Sequence, residues 1–481
     1  MMSVLMATAE FSPLVKSGGL GDVLGSLPYA LKKEGVDARV IMPLYSFIPE
    51  DVVERMVFVK AIHVYLGWRK QYCGIYELDY GGLKMYFVDS LFYFGGSRLY
   101  YSIEDDIERF AFFCMSVLAA LPHIDFAPDV IHCHDWHTSL IPVIYGAHFK
   151  KIQFYSGIRT VMTVHNLKYQ GICNKYKLYD IIGLNDSYSV APSLSYGHDL
   201  VNCLKGGLSV ADKITTVSET YAREIRYQYY GEGLDWLLNW RGADLAGIAN
   251  GIDSDSYDPA ADAAIAHRYS AGDAIAKKRL NKAELQGRLG LSAGAGKPLI
   301  AIVSRLVAQK GLDLVMRVFD EIVASEGAQL AVIGTGDGAY EAFFAGKAAQ
   351  YPGEASASIS FDEPAARMLY AASDFFLMPS LFEPCGISQM IAMRYGSLPI
   401  VRETGGLRDT VQPYDPVAGT GWGYTFATYN AHDMLDAVRR ALAVYRDAPD
   451  EHAALVGRAM ARDNSWGASA KKYISLYEGI I

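Results

Sequence analysis

Cysteine is scarce in this chain. Its 481 residues hold six, Cys73, Cys114, Cys133, Cys173, Cys203 and Cys385, with no CxxC pair and no zinc-like spacing. Scattered thiols of this kind point to reduced side chains in a cytosol-like compartment rather than to a disulfide framework. Positive charge is also short: 44 Lys and Arg face 53 Asp and Glu, a net charge of -9. That argues against nucleic acid as the main partner, because phosphate backbones are bound by basic surfaces. Long apolar runs are missing too. The most apolar helical stretch, FAFFCMSVLAAL, is too short to span a bilayer. The first residues read as a strand and lack the basic region and small-residue cleavage site of a secretory signal. These absences predict no nucleic acid and no membrane, and a small or neutral ligand met by local charges.

What is present is alternation. With 51% hydrophobic residues the chain can bury large cores, and its length fits about two to four domains. In the first half SVLMATAEF, DARVIMPLY, LKMYFVDS, DVIHCH, RTVMTVHN and DKITTVS read as strands. Helical patterns such as DVLGSLPYALKKEG and ERFAFFCMSVLAALPHI lie between them, and Ser218 is placed to cap a helix over TYAREIRYQYY. Around residues 242 to 298 the texture turns rich in Gly, Ala, Asp and Pro, as in a passage between domains. Alternation then restarts with PLIAIVSRL and runs to LPIVRE. This is the signature of α/β, doubly wound parallel sheets, whose ligands bind beyond the C-terminal ends of the strands. GTGDG, from Gly334, lacks a full dinucleotide fingerprint and reads as a tight turn.

Candidate chemistry collects at those strand ends. In LVKSGGLGDV, Gly18 and Gly19 separate the first strand from its helix, so bare amides can face an anion, with Lys16 adding positive charge and Asp22 opening the helix. VSRLVAQKGLDLV places Arg305 and Lys310 after the first strand of the second half. Two cations there suit a diphosphate leaving group, although solvent-facing charge is the bland alternative. SLFEPCGISQM sets Glu383 at another strand end, followed by the amides of Gly386, Ile387 and Ser388 beside Cys385. A carboxylate in that place can bind sugar hydroxyls or stabilise positive charge at an anomeric carbon. ETGGLRDTV repeats the glycine pair, so Thr404, Gly405 and Gly406 can offer further donors. HCHDWH and TVHN also end strands. His132, His134 and His137 raise a metal reading, but no carboxylate and histidine set completes a zinc or iron site. Asp135 and His165 are therefore read as polar contacts for a sugar, with Asn250 of IANGID as a third. Tyr, Phe and Trp cluster in SLFYFGGSRLYYS, YQGICNKYKLYD and YQYYGEGLDWLLNWRG, where rings can stack on sugar faces.

Taken together, KSGGLGDV, HDWH, TVHN, ITTVSETYAREI, NGID, VSRLVAQKGLDLV, FEPCGISQM and TGGLRDTV resemble, in order, the motifs of the glycogen and bacterial-type starch synthases that use ADP-glucose. The resemblance implies a glycosyltransferase-B fold of two Rossmann-like domains about a deep cleft, and donor groups drawn from both domains predict that the cleft closes during turnover. The expected divisions are 1–243, 244–462 and a C-terminal segment, 463–481, that crosses back to the first domain. It implies transfer of glucose from ADP-glucose to the non-reducing end of an α-1,4-glucan (glycogen, starch or maltooligosaccharide), with retention, and with no metal or other cofactor. By that resemblance Lys16, Gly18 and Gly19 match the donor-binding lysine and glycine pair. Arg305 and Lys310 match the diphosphate clamp. Glu383 matches the glutamate at the transferred glucose, with Cys385, Gly386, Ile387, Ser388 and Thr404 in the donor-binding set. Asp135, His165 and Asn250 match polar residues around that glucose. Phe361 stands where the family often has a base-stacking tyrosine, Ser17 and Gly21 replace Thr and Ala, and Ile391 stands where related transferases carry a ribose-binding glutamate. The last departure argues against a UDP-sugar donor. The expected compartment is the cytoplasm, or the plastid stroma for a plant or algal chain. A non-catalytic glucan-binding protein is the rival of a different class.

Overall fold

SVLMA, VIHCH and LIAIV become strands because short, mostly apolar runs carrying Val and Ile can be buried on both faces of a parallel sheet, and in the computed structural model nearly every residue of the three is buried. Residues 1–294, 296–360 and 362–481 are described. They form two units, 1–250 with 466–481, and 251–465.

In the first unit the strands are β1 (Ser3–Ala7), β2 (Asp37–Pro43), β3 (Val57–Leu66), β4 (Arg69–Tyr80), β5 (Leu83–Asp89), β6 (Val130–His134), β7 (Arg159–Val164), β8 (Ile172–Asn174), β9 (Leu200–Asn202), β10 (Lys213–Thr216) and β11 (Leu245–Gly247). Nine of them make one sheet, in the order β11-β10-β7-β6-β1-β2-β5-β4-β3, and β8 pairs with β9 separately. Pairing is parallel from β11 to β5 and antiparallel at β5-β4 and β4-β3. The chain leaves β1 towards β2 on one side and comes back to β6 on the other. The crevice at that reversal is where open α/β sheets take ligands. Helix Ile103–Ala120, capped by the Ser102 side chain on Asp105 N, buries most of its length against this sheet. The last helix, Trp466–Glu478, belongs to the same unit and buries Tyr473 and Tyr477 fully.

The second unit holds β12 (Leu299–Val303), β13 (Gln329–Ile333), β14 (Ala355–Ser358), β15 (Phe375–Met378), β16 (Leu398–Arg402) and β17 (Tyr424–Phe426). Their order is β14-β13-β12-β15-β16-β17, all parallel. This is the doubly wound 3-2-1-4-5-6 order, with its reversal at β12 and β15.

Several elements differ from expectation. The hairpin β3–β4 was not among the expected strands, because Val57, Phe58, Tyr65 and Tyr72 lie exposed and blur the alternation. DVLGSLPYALKKEG is two helices, Gly19–Leu24 and Leu27–Lys33, broken where a Cβ on Gly25 would overlap the Ser12 carbonyl and where Pro28 starts the next turn. Ser218 caps its helix on Tyr221 N at 2.9 Å, but the helix ends at Glu224. GLDLVMRVFDEIVA breaks after Arg317. Helices Ala431–Asp447 and Pro449–Met460 complete the second unit beyond the elements expected. The GTGDG glycines serve a turn: a Cβ on Gly334 or Gly336 would overlap the carbonyl of Ser304 or Leu306.

Candidate active site

In the second unit the reversal at β12 and β15 brings together the loops after those two strands. Lys310 ends a turn that is bound to the β15 loop by Leu381 N on Gln309 O at 2.9 Å and by the Gln309 side chain on Phe382 O at 3.3 Å. Gly311 follows with φ +68, and a Cβ there would overlap the Pro379 carbonyl, so the two loops touch as bare backbone. The contact sets Lys310 Nζ 2.7 Å from Glu383 Oε2, and Ser380 Oγ donates to the same oxygen at 2.9 Å. Glu383 is buried, yet its Oε1 has no partner among the described residues. One oxygen is thus held and the other is open to a ligand. Arg305 lies exposed on the same β12 loop; its carbonyl accepts Val307 N and Ser304 Oγ, while its guanidinium has no hydrogen-bond or ion-pair partner among the described residues. Past Glu383, the N–H groups of Gly386, Ile387 and Ser388, at the start of helix Ser388–Arg394, have no partner among the described residues. Gly386 has φ +72, and a Cβ there would stand 2.5 Å from Gln389 Oε1.

The second glycine pair acts differently from expectation. Gly406 N–H donates to Glu383 O at 3.1 Å and to Pro384 O at 3.2 Å, so it is not a free donor. A Cβ on Gly405, at φ +46, would overlap the Glu383 carbonyl, and one on Gly406 would overlap that of Cys385. TGG therefore seats the carboxylate-bearing loop, and Thr404 is fully buried as the helix N-cap residue. Phe361 lies outside the described residues.

In the first unit the reversal at β1 and β6 gathers Lys16, the first glycine pair, Asp135 and His165. Lys16 Nζ pairs with Asp22 at 2.6 Å. Gly18 is extended, and a Cβ on it would meet nothing within 4 Å. Protein packing does not demand the glycine; open space beside its backbone does fit an approaching ligand. The loop is fixed from below by Glu10, which sequence reasoning missed. Its carboxylate accepts Ser17 N at 2.7 Å, Ser17 Oγ at 2.6 Å and Tyr100 OH at 2.6 Å. Ser17 is thus anchored rather than loose. The available signal was an acidic residue ending an apolar strand.

Asp135 sits in the left-handed region at φ 58, which Asp tolerates, and its Oδ1 accepts His165 N at 2.7 Å. Burial raises its carboxyl from 3.8 to about 7 against the opposing effect of the His165 and Asn166 amides. Burial lowers the imidazoles of His132, His137 and His165 to about 3, and that of His134 well below its ordinary value. Near neutrality all four are uncharged. Among the described residues no cluster of three His, Cys, Asp or Glu is placed for a metal ion. His134 Nδ1 lies 3.0 Å from His165 Nε2, and His132 lies between Tyr477 OH (2.8 Å) and Thr163 Oγ1 (2.6 Å). Asn250 Oδ1 is buried without a partner. Of the aromatic clusters, Phe92, Tyr101, Tyr169, Tyr176, Tyr227, Tyr229, Trp236 and Trp240 are exposed.

The chain is similar to known proteins along its whole length. Residues 3–240 match the family model described as "Starch synthase catalytic domain", and residues 291–454 match "Glycosyl transferases group 1". The glycogen synthase of Lachnospira eligens is 48% identical over 480 residues, covering 100% of both chains. That of Geobacillus thermodenitrificans is 49% identical over 480 residues, covering 100% of this chain and 98% of its own. The structure of the catalytic domain of starch synthase IV from Arabidopsis thaliana, bound to ADP and acarbose, superposes with a TM-score of 0.91 at 34% identity, covering 100% of this chain and 99% of that one. A sucrose-phosphate synthase from Thermosynechococcus elongatus, at TM-score 0.62 and 16% identity, shares the fold alone.

Proposed function

The chain belongs to the glycogen and starch synthase family, with its glycosyltransferase-B fold, and we propose that it transfers glucose from ADP-glucose to the non-reducing end of an α-1,4-glucan, with retention and release of ADP. The observation that carries this reading is the second-unit constellation: a buried carboxylate held by Lys310 at 2.7 Å on one oxygen and open on the other, with the exposed Arg305 guanidinium, unpartnered among the described residues, on the β12 loop of the same topological switch point.

In this reading Arg305 and Lys310 meet the diphosphate. Leaving-group departure builds charge on its oxygens, and fixed cations stabilise that charge without reorganising. In the first unit, Lys16 and the amides of Gly18 and Gly19 are the donor-binding candidates that the family resemblance names. Glu383 faces the transferred glucose, where its negative charge steadies the positive charge that grows at the anomeric carbon. Gly386, Ile387 and Ser388 offer main-chain donors to sugar oxygens, and Asp135, His165 and Asn250 supply polar contacts. Ordinary retaining glycosidases set a second carboxylate against the first. Here no opposing nucleophile is identified, so displacement on one face through an oxocarbenium-like state is the mechanism proposed, and a trapped glucosyl–enzyme ester would overturn it. Ile391, where a ribose-binding glutamate would stand in UDP-sugar enzymes, favours ADP-glucose. The exposed rings of the first unit suit a glucan acceptor. All six cysteines are free thiols, in keeping with a cytoplasmic setting.

Glu383→Gln tests the assignment. The variant keeps shape and loses charge, so turnover should fall at least about a hundredfold with donor affinity little changed. Unchanged turnover removes Glu383 from the mechanism.

A further inference from the structure

We propose that His134 is a positioning residue that locks His165 as its Nδ1–H tautomer, so that the ring offers a hydrogen-bond donor to a hydroxyl of the transferred sugar. The sugar half of this proposal rests on the placement of His165 given above.

His134 Nδ1 and His165 Nε2 are 3.0 Å apart, so one nitrogen donates and the other accepts. The choice follows from the far side of His134. That residue is fully buried, and its Nε2 has no partner. A neutral imidazole carries one N–H and one lone pair. If His134 Nδ1 accepted, its proton would sit on Nε2 and a donor would be stranded in the core. Orphaned buried N–H groups are rarer and costlier than bare acceptors. The proton therefore sits on His134 Nδ1 and is donated to His165 Nε2. With Nε2 accepting, the single proton of neutral His165 is on Nδ1, which has no partner among the described residues.

The ring of His134 is itself held. His132 packs on it with centroids 4.1 Å apart. His132 is pinned in turn by Tyr477 OH at 2.8 Å and Thr163 Oγ1 at 2.6 Å. The tautomer at the sugar-facing loop is thus fixed from two strands and the C-terminal helix of the same unit.

The test uses the full chain labelled with ¹⁵N at histidine. Long-range proton–nitrogen correlation at about pH 7.5 reads which nitrogen carries the proton, and His165→Gln assigns the signal. The proposal expects His165 protonated on Nδ1 in the unmodified protein. In His134→Phe the signal should move towards a mixture of tautomers, and kcat/KM for ADP-glucose should fall about threefold to tenfold. His134→Asn, whose amide N–H lies near the place of Nδ1, should restore both. An Nε2–H His165 in the unmodified protein overturns the proposal even if the variants fail to fold. An unaltered tautomer in His134→Phe overturns it as well. A shifted tautomer with unaltered kcat/KM overturns the sugar placement alone and leaves the lock standing.

Discussion

At the residue scale two carboxylates are treated in opposite ways. Glu383 has an ammonium 2.7 Å away, while Asp135 is met mainly by main-chain amides and pays for burial with a carboxyl raised to about 7. For Asp135 the sign is definite. Between 3.8, its ordinary value, and about 7 the folded state holds a proton that the unfolded chain releases, so stability falls as pH rises through that window. Asp135→Asn removes the effect while keeping an acceptor for His165 N and a residue suited to the left-handed backbone. The variant should be more stable than the parent near pH 8, by on the order of a few kcal/mol, and no different near pH 3, as read by urea titration. Parallel stability curves would contradict the burial argument. For Glu383, removing its ammonium should hurt folding as well as rate. Lys310→Met leaves a buried carboxylate with only Ser380 and should cost about 3 kcal/mol, whereas adding Glu383→Gln should recover much of it. Denaturant midpoints of the two variants decide this.

At the scale of elements, strand ends position the chemistry, and loop backbone positions the strand ends. Gly405 is the clearest case, because its positive φ and its contact with the Glu383 carbonyl both forbid a side chain. Gly405→Ala should displace the Glu383 loop, lower kcat by at least about tenfold and destabilise the second unit by more than about 2 kcal/mol. Normal kinetics would show that the loop is seated by something else. This is also where sequence reading succeeds and where it stops. The parallel strands were legible because β12, β13 and β15 are short apolar runs buried on both faces. The doubly wound class then set Arg305, Lys310 and Glu383 at the C-terminal ends of strands, whereas the order of those strands is seen only in the structure. The hairpin β3–β4 was not legible, since exposed aromatics interrupt its alternation. Nor was the role of the TGG pair. A glycine that donates to a ligand and a glycine that packs against a carbonyl read alike until the neighbouring loop is seen. Glu10 escaped notice because its three partners come from residues 17 and 100, of which the second is remote in sequence.

At the scale of the whole molecule the two units carry unequal buried charge chemistry. Five histidines of the first unit, the buried His132, His134, His137 and His165 and the less buried His123, are lowered by burial, against His452 alone in the second among the groups with a resolved shift. Each depressed histidine takes up a proton on unfolding below about pH 6.5, so folded stability drops as pH falls through that value. Asp135 opposes this, and so do Asp89 and Asp106, whose carboxyls burial also raises. The first unit should therefore take up a net excess of protons on unfolding near pH 5 and lose stability on acidification. Limited proteolysis on acidification should release fragments of residues 1–250 before those of 251–465, and the reverse order would contradict the account. The proposed chemistry is activation of an adenosine diphosphate leaving group, for glucan elongation, by cations and a half-open carboxylate at one switch point. The measurement that meets it most directly is parallel incorporation of labelled glucose into glycogen from ADP-glucose and from UDP-glucose, with the parent chain and Glu383→Gln. The account predicts transfer from ADP-glucose in large excess over UDP-glucose, nearly abolished in the variant; preference for UDP-glucose, or no transfer from either donor, would contradict it.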